Sequence, residues 1–163
     1  MTLRRLAPLA LLLSLTASAQ VSRPDAPPRA DDLVKWTARI VAGDEPGEAR
    51  YEWTATVAEG WNLYGARSQA GIPLTVTLGR LPEGVTARGR LRETPTENGT
   101  DPALGLPYAY HTGSARVSQG LRVTRRASGR HRISSRIRFA VCNDSVCLAP
   151  TTAELSATLR VGG

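Results

Sequence analysis

Ile133, Ser135, Ile137, Phe139 and Val141 stand at every second position, with Arg136 and Arg138 between them. Successive side chains of a β-strand point to opposite faces, so this spacing puts one set inward and the arginines outward. The last segment repeats the pattern. Leu155, Ala157, Leu159 and Val161 alternate with Glu154, Ser156, Thr158 and Arg160. Trp36, Ala38 and Ile40 mark a first strand, and Tyr51, Trp53, Ala55 and Val57 a second, with "GDEPGE" as the turn between them. Leu74, Val76 and Leu78 mark a third, and "GVTARGRLR" and "SARVSQGLRV" are weaker strands. Many short period-two runs separated by Gly, Pro, Asn and Asp point to an all-β, antiparallel β-sandwich. After the first twenty residues no stretch keeps a 3.6-residue period, and there is no internal repeat.

The chain opens "MTLRRLAPLALLLSLTASAQ". Arg4 and Arg5, a short apolar run and Ala17-Ser18-Ala19 have the layout of a secretory signal peptide over residues 1–19, with cleavage expected after Ala19. The run is short of the ~20 apolar residues that span a bilayer. Residues 20–30, rich in proline, read as a disordered leader, and residues 31–163 as one β-sandwich domain. A periplasmic or otherwise extracytoplasmic protein with no stable membrane span after cleavage is expected. The formal charge is +7, and 7 − 2 = +5 without Arg4 and Arg5. Lys35 is the only lysine, so arginine carries nearly all of it. No aromatic platform accompanies the arginines, so a solvated basic face is expected rather than a nucleic-acid surface. Residues 93–109, "ETPTENGTDPALGLPYA", have turn chemistry throughout and are expected to form a long loop.

Both cysteines lie in "AVCNDSVCLAP" at 140–150. Four residues, 143–146, separate Cys142 from Cys147, and Asn-Asp-Ser favours a turn. A tight turn brings the pair to about the 5.5 Å Cα separation of a disulfide, and export permits oxidation. Closing a six-residue loop contributes only about 2 kcal/mol in the chain-entropy account, against about 4.7 for a loop of 100. The inter-sheet bond of immunoglobulin domains joins strands far apart in sequence, which this pair cannot do. Two readings stay open: a redox pair on an exposed hairpin, or an inert hairpin bond. A metal site using both thiolates with His111 and His131 has the right ligand types, but nothing in the spacing converges them. No metal and no cofactor are expected.

The segment "RFAVCNDSVCLAP" resembles the active-site hairpin of the N-terminal periplasmic domain of the DsbD family of thiol:disulfide interchange proteins. "VAEGWNLYG" (57–65), "LGRLPEGV" (78–85) and "YAYHTGSARVSQGLRV" (108–123) resemble further pieces of that domain in the same order. The resemblance implies an immunoglobulin-like sandwich. It implies a Cys142–Cys147 pair that takes electrons from a thioredoxin-like domain or membrane electron conductor on a separate chain. The electrons pass to oxidised exported client proteins, such as disulfide isomerases or cytochrome c maturation factors. It makes Cys147 the attacked sulfur and Cys142 its resolving partner. Tyr110 and His111 match a cap that shields the sulfurs, and Trp61 and Tyr64 match aromatics near the site. Two departures stand out. Ala149 occupies a place where proline is common, and Leu106-Pro107-Tyr108-Ala109 replace the acidic residues that can precede the cap. Two non-carrier readings remain: a β-sandwich binding or adaptor module with an inert disulfide, and a maturation factor that holds a client through a transient mixed disulfide.

Overall fold

A computed structural model describes residues 28–100 and 105–162. The expected signal peptide and residues 20–27 of the leader lie outside the described residues, as do residues 101–104 of the expected loop. A one-turn helix, α1 (Ala30–Leu33), precedes eleven strands: β1 (Val34–Ala42), β2 (Glu48–Val57), β3 (Asn62–Tyr64), β4 (Thr75–Leu78), β5 (Val85–Glu93), β6 (Glu97–Thr100), β7 (Pro107–His111), β8 (Ser114–Val123), β9 (Gly129–Phe139), β10 (Val141–Cys142) and β11 (Thr151–Val161). They form three antiparallel sheets, ordered β1-β2-β8-β5, β11-β9-β4 and β10-β3-β7-β6. The fold is an immunoglobulin-like β-sandwich. Ala30, at the end of the proline-rich leader, is buried in the core.

The seven segments fall on strands, with Leu74 just before β4. Six supply an apolar face that leaves water, whereas β5 buries Val85 and is otherwise largely exposed. Ile133, Ile137 and Phe139 are fully buried, while the alternating Arg132, Arg136 and Arg138 are exposed. Burying each such large apolar side chain is worth about 1.5–3 kcal/mol. Ser135 breaks the apolar series, and its partners explain why. The Trp53 Nε1–H donates to Ser135 Oγ at 2.9 Å, and Ser135 donates to the Tyr51 hydroxyl at 3.2 Å. The Tyr51 hydroxyl in turn donates to the Ile133 carbonyl at 3.0 Å. Tyr51 and Trp53 stack with centroids 4.3 Å apart. Burial raises the Tyr51 phenol above its ordinary pKa, which keeps it a donor. This network ties β2 of one sheet to β9 of the other.

Glu52 is a carboxylate 5% exposed on β2. Arg50 Nε donates to Oε1 and Arg39 Nε to Oε2, at 2.8 and 2.9 Å. The Arg50 hydrogen bond, opposed by burial and joined by Arg39, holds the Glu52 carboxyl below its usual range. A carboxyl whose folded pKa is depressed stabilises the fold above its unfolded value near 4.3, and that stability is lost as pH falls through the lower folded value. Glu52→Gln should therefore lower the melting temperature at pH 7, and the gap to the parent should narrow on acidification below about pH 4. Melts recorded across the acid range check this, and a gap that stays constant counts against it.

The expected long loop at 93–109 is a correction. Residues 97–100 and 107–111 are strands β6 and β7, paired with each other from Glu97↔Tyr110 to Thr100↔Pro107. Tyr110 and His111 thus belong to a strand. Strands of four or five residues offer only two inward positions, too few for a period to register, and Pro and Gly hide them further. Gly99 lies opposite Tyr108, and a Cβ there would stand 2.5 Å from its ring. The glycine is what lets that ring lie across β6.

Candidate functional site

The chain leaves β9 at Phe139, forms the two-residue strand β10 against β3, and turns back towards β11. Asn143 shapes the turn: its Oδ1 accepts from the N–H groups of Ser145 and Val146 at 2.9 and 2.8 Å. The Asn143 N–H donates to the Val146 carbonyl at 2.9 Å, and the Leu148 N–H to the Val141 carbonyl at 3.0 Å. Cys142 and Cys147 face each other between these two bonds, and their sulfurs form a disulfide. Their Cα atoms are 4.0 Å apart rather than about 5.5 Å. The reason is their place in the ladder, since residues opposite each other without mutual hydrogen bonds approach closest in an antiparallel pair.

The two sulfurs differ in surroundings. Cys142 is 7% exposed and packs with Tyr64 and Ala140, while Cys147 is exposed. The pair is therefore half covered rather than wholly presented on the hairpin. Beside Cys147 stands Val146, which at 47% exposure is one of two exposed large apolar residues among those described.

Tyr64 is the aromatic that reaches the bond, its hydroxyl 3.9 Å from Cys147 Sγ. Three strands bring its neighbours together. Tyr64 on β3 is in register with Tyr110 on β7, and Tyr110 with Glu97 on β6. Tyr108 packs edge-on to Tyr64, centroids 6.0 Å apart, and lies 5.4 Å from Tyr110. From the other side Gly71, at φ +73°, passes over the Tyr64 ring, where a Cβ would come within 2.5 Å of it. The Tyr110 hydroxyl donates to Glu97 Oε2 at 3.3 Å. Partial burial, then the Glu97 charge, raise the Tyr110 phenol above its ordinary pKa.

His111 is placed differently. Neighbouring residues of a strand face opposite ways, and His111 is buried at 3% exposure with its Nε2 3.2 Å from Glu93 Oε2. Glu93 Oε2 also accepts from the Ala66 N–H at 2.8 Å, and Arg67 stands 3.5 Å from Oε1. Glu93 thereby joins β5 and β7 to the chain leaving β3. Trp61 is half-buried against the main core. The structure thus gathers Tyr64, Tyr110, Cys142 and Cys147, and sets His111 and Trp61 apart. Sequence reading missed Tyr108, Glu93 and Glu97. An acidic side chain does reach the aromatic cluster, Glu97 from β6 rather than a residue just before it, while Glu93 of β5 meets His111. Only cross-strand register, which no local spacing encodes, could have identified them. His131 lies elsewhere, its Nε2 2.8 Å from the Ser128 carbonyl. Among the described residues no three His, Cys, Asp or Glu side chains are grouped to hold a metal ion.

No protein-family model matches the chain, and no curated protein matches it. Solved structures do. The reduced N-terminal domain of Neisseria meningitidis DsbD is 16% identical, with a TM-score of 0.50 over 80% of this chain and 86% of that one. The N-terminal periplasmic domain of ScsB from Proteus mirabilis is 15% identical, with a TM-score of 0.50 over 83% of this chain. The match spans 48% of that ScsB chain, about half its length. At these identities the likeness is one of fold: this chain is a β-sandwich weakly similar to the N-terminal domains of DsbD and ScsB.

Proposed function

We propose that this chain is an extracytoplasmic module that exchanges disulfides with protein partners through Cys147. The observation that carries the reading is the asymmetry of the bond, one sulfur exposed beside Val146 and the other covered. The fold likeness to periplasmic domains of DsbD and ScsB supports the extracytoplasmic setting. A thiolate of a thioredoxin-like donor attacks Cys147 Sγ. The Cys142–Cys147 bond breaks, and Cys142 leaves as thiolate. The donor's second thiolate then attacks its own sulfur in the mixed disulfide and releases Cys147. Two electrons have moved: the donor is oxidised and the pair reduced. Delivery runs the other way, with Cys147 attacking an oxidised client and Cys142 resolving the mixed disulfide.

The local character of the bond favours a second reading. It joins residues five apart that a turn and two backbone hydrogen bonds already hold. A non-redox binding or adaptor module with an inert hairpin disulfide needs neither a reactive thiolate nor turnover, so it asks less of the structure. The reduction potential separates the two. An exchanging pair is expected in the thioredoxin-to-isomerase range, about −270 to −180 mV, and a value below about −300 mV overturns the exchange reading in favour of the inert bond.

Tyr110 belongs to the proposed shield, together with Tyr64 and Tyr108. Tyr110→Ala should raise the rate of reduction by dithiothreitol several-fold. It should leave the fold intact, because the side chain is only half-buried. A stopped-flow comparison with the parent at equal pH reads this, and equal rates remove Tyr110 from the shield.

A further inference from the structure

We propose that the outer face of the β4-β9-β11 sheet adsorbs to an anionic phospholipid surface. Arg130, Arg132, Arg136 and Arg138 of β9 are exposed on that face, and Arg160 of β11 joins them. The positions between and beside them carry short side chains, Ser134, Ser156, Thr77 and Thr158 among them. A shallow hollow of about 480 Å³ opens between Arg132 and Arg136 over those serines, with Glu154 also on its wall. The guanidinium groups therefore stand above a low hydroxyl floor.

Their charge is not answered within the sheet. Glu154 is the one carboxylate in the three strands, in register with Arg136. Among the described residues none of the five arginines forms an ion pair. The other large sheet sets carboxylates among its arginines: Arg39 and Arg50 close on Glu52, and Arg88 on Glu48, while Arg90, Arg92, Arg116 and Arg122 form no ion pair among the described residues. Arg130 and Arg160 lie directly opposite each other. Like charges opposite one another on neighbouring strands repel, and an anion bridging them removes the cost.

The shape and composition select the occupant. Among the described residues the two exposed large apolar ones, Leu106 and Val146, lie outside these strands. The face has no aromatic or aliphatic anchor of the kind that centres a protein interface, and no ring on which bases stack. It is a flat, basic strip. The eight steps from Arg130 to Arg138 span about 27 Å at ~3.4 Å each. A headgroup plane presents many phosphates at once to such a strip, and the planar guanidinium takes phosphate by paired hydrogen bonds. Cys147 lies beyond the end of β9, past Arg138, so an adsorbed chain keeps its hairpin at the rim of the contact.

The test is co-sedimentation with vesicles of equal parts phosphatidylglycerol and phosphatidylcholine, against phosphatidylcholine alone. Binding to the first only is expected, weakening as salt rises. Each basic residue near an anionic surface is worth about fivefold, so the pair Arg132→Ser and Arg136→Ser should weaken binding about 25-fold with an unchanged melt. Arg116→Ser with Arg122→Ser, on the other large sheet, should change it less than about twofold. No binding to the anionic vesicles overturns the proposal. So does equal weakening by the two pairs, or equal or tighter binding of duplex DNA or polyglutamate at the same ionic strength. None of these readouts involves the disulfide, so the result stands whatever the redox behaviour of Cys147.

Discussion

Cys142→Ser, activated at Cys147 with dithionitrobenzoate, is expected to trap a thioredoxin-like donor stripped of its resolving cysteine. Cys147→Ser, activated at Cys142, is expected to yield at least about tenfold less mixed disulfide in the same time. The reason is access. Cys147 is exposed, whereas Cys142 is 7% exposed and packed with Tyr64 and Ala140, and exchange requires the attacking thiolate to reach the sulfur in line. Both variants should fold. The closed loop contributes about 2 kcal/mol of a typical total of 5–15, and the Asn143 turn persists without it. Band intensities on a non-reducing gel, with a circular dichroism melt of each variant, make the measurement. Equal trapping overturns the division of roles. No trapping by either, with a large fall in melting temperature in both, assigns the bond to the inert hairpin reading.

Trp53→Ala should cost about 3–5 kcal/mol, the largest loss from a single substitution outside the hairpin. Trp53 is fully buried, stacks on Tyr51 and donates to Ser135 across the sandwich. Its removal opens a cavity and leaves the Ser135 hydroxyl short of a partner. Ser135→Ala is the informative companion. It leaves the Trp53 N–H and the Tyr51 hydroxyl each short of one partner while barely changing volume, so it should cost about 1–3 kcal/mol. Urea unfolding of both variants reads the two values. A Trp53→Ala loss below that of Ser135→Ala would mean the ring is not what joins the sheets.

The alternating segments were legible because a β-strand buried on one side writes its orientation into every second residue. Trp36 to Ile40, Tyr51 to Val57, Ile133 to Phe139 and Leu155 to Val161 all lie on strands with those residues inward or half-buried. The hairpin was legible for a similarly local reason, since Asn143 bonds to backbone two and three residues on. The short sheet beside it was not. β6 and β7 owe their existence to pairing with each other and with β3, and their turn-like composition points the other way. The resemblance to the DsbD family marked Tyr64 and Tyr110 before any pairing was known. It gave no sign that His111, one residue on, turns inward to Glu93.

The sequence by itself determined the β-sandwich class, the inward and outward faces of its long strands, and a turn that sets two cysteines opposite each other. Each depends on residues close together along the chain, where side-chain period and turn chemistry act without help. Tertiary structure alone decided that Cys142 is covered and Cys147 exposed. It also brought Tyr64 against the bond with Tyr108, Tyr110 and Glu97 packed in turn behind it, and left five arginines of one sheet without an ion pair among the described residues. Those facts depend on which strands become neighbours and in what register. Register is settled by burying the whole apolar set at once, a condition that no single stretch of the sequence contains.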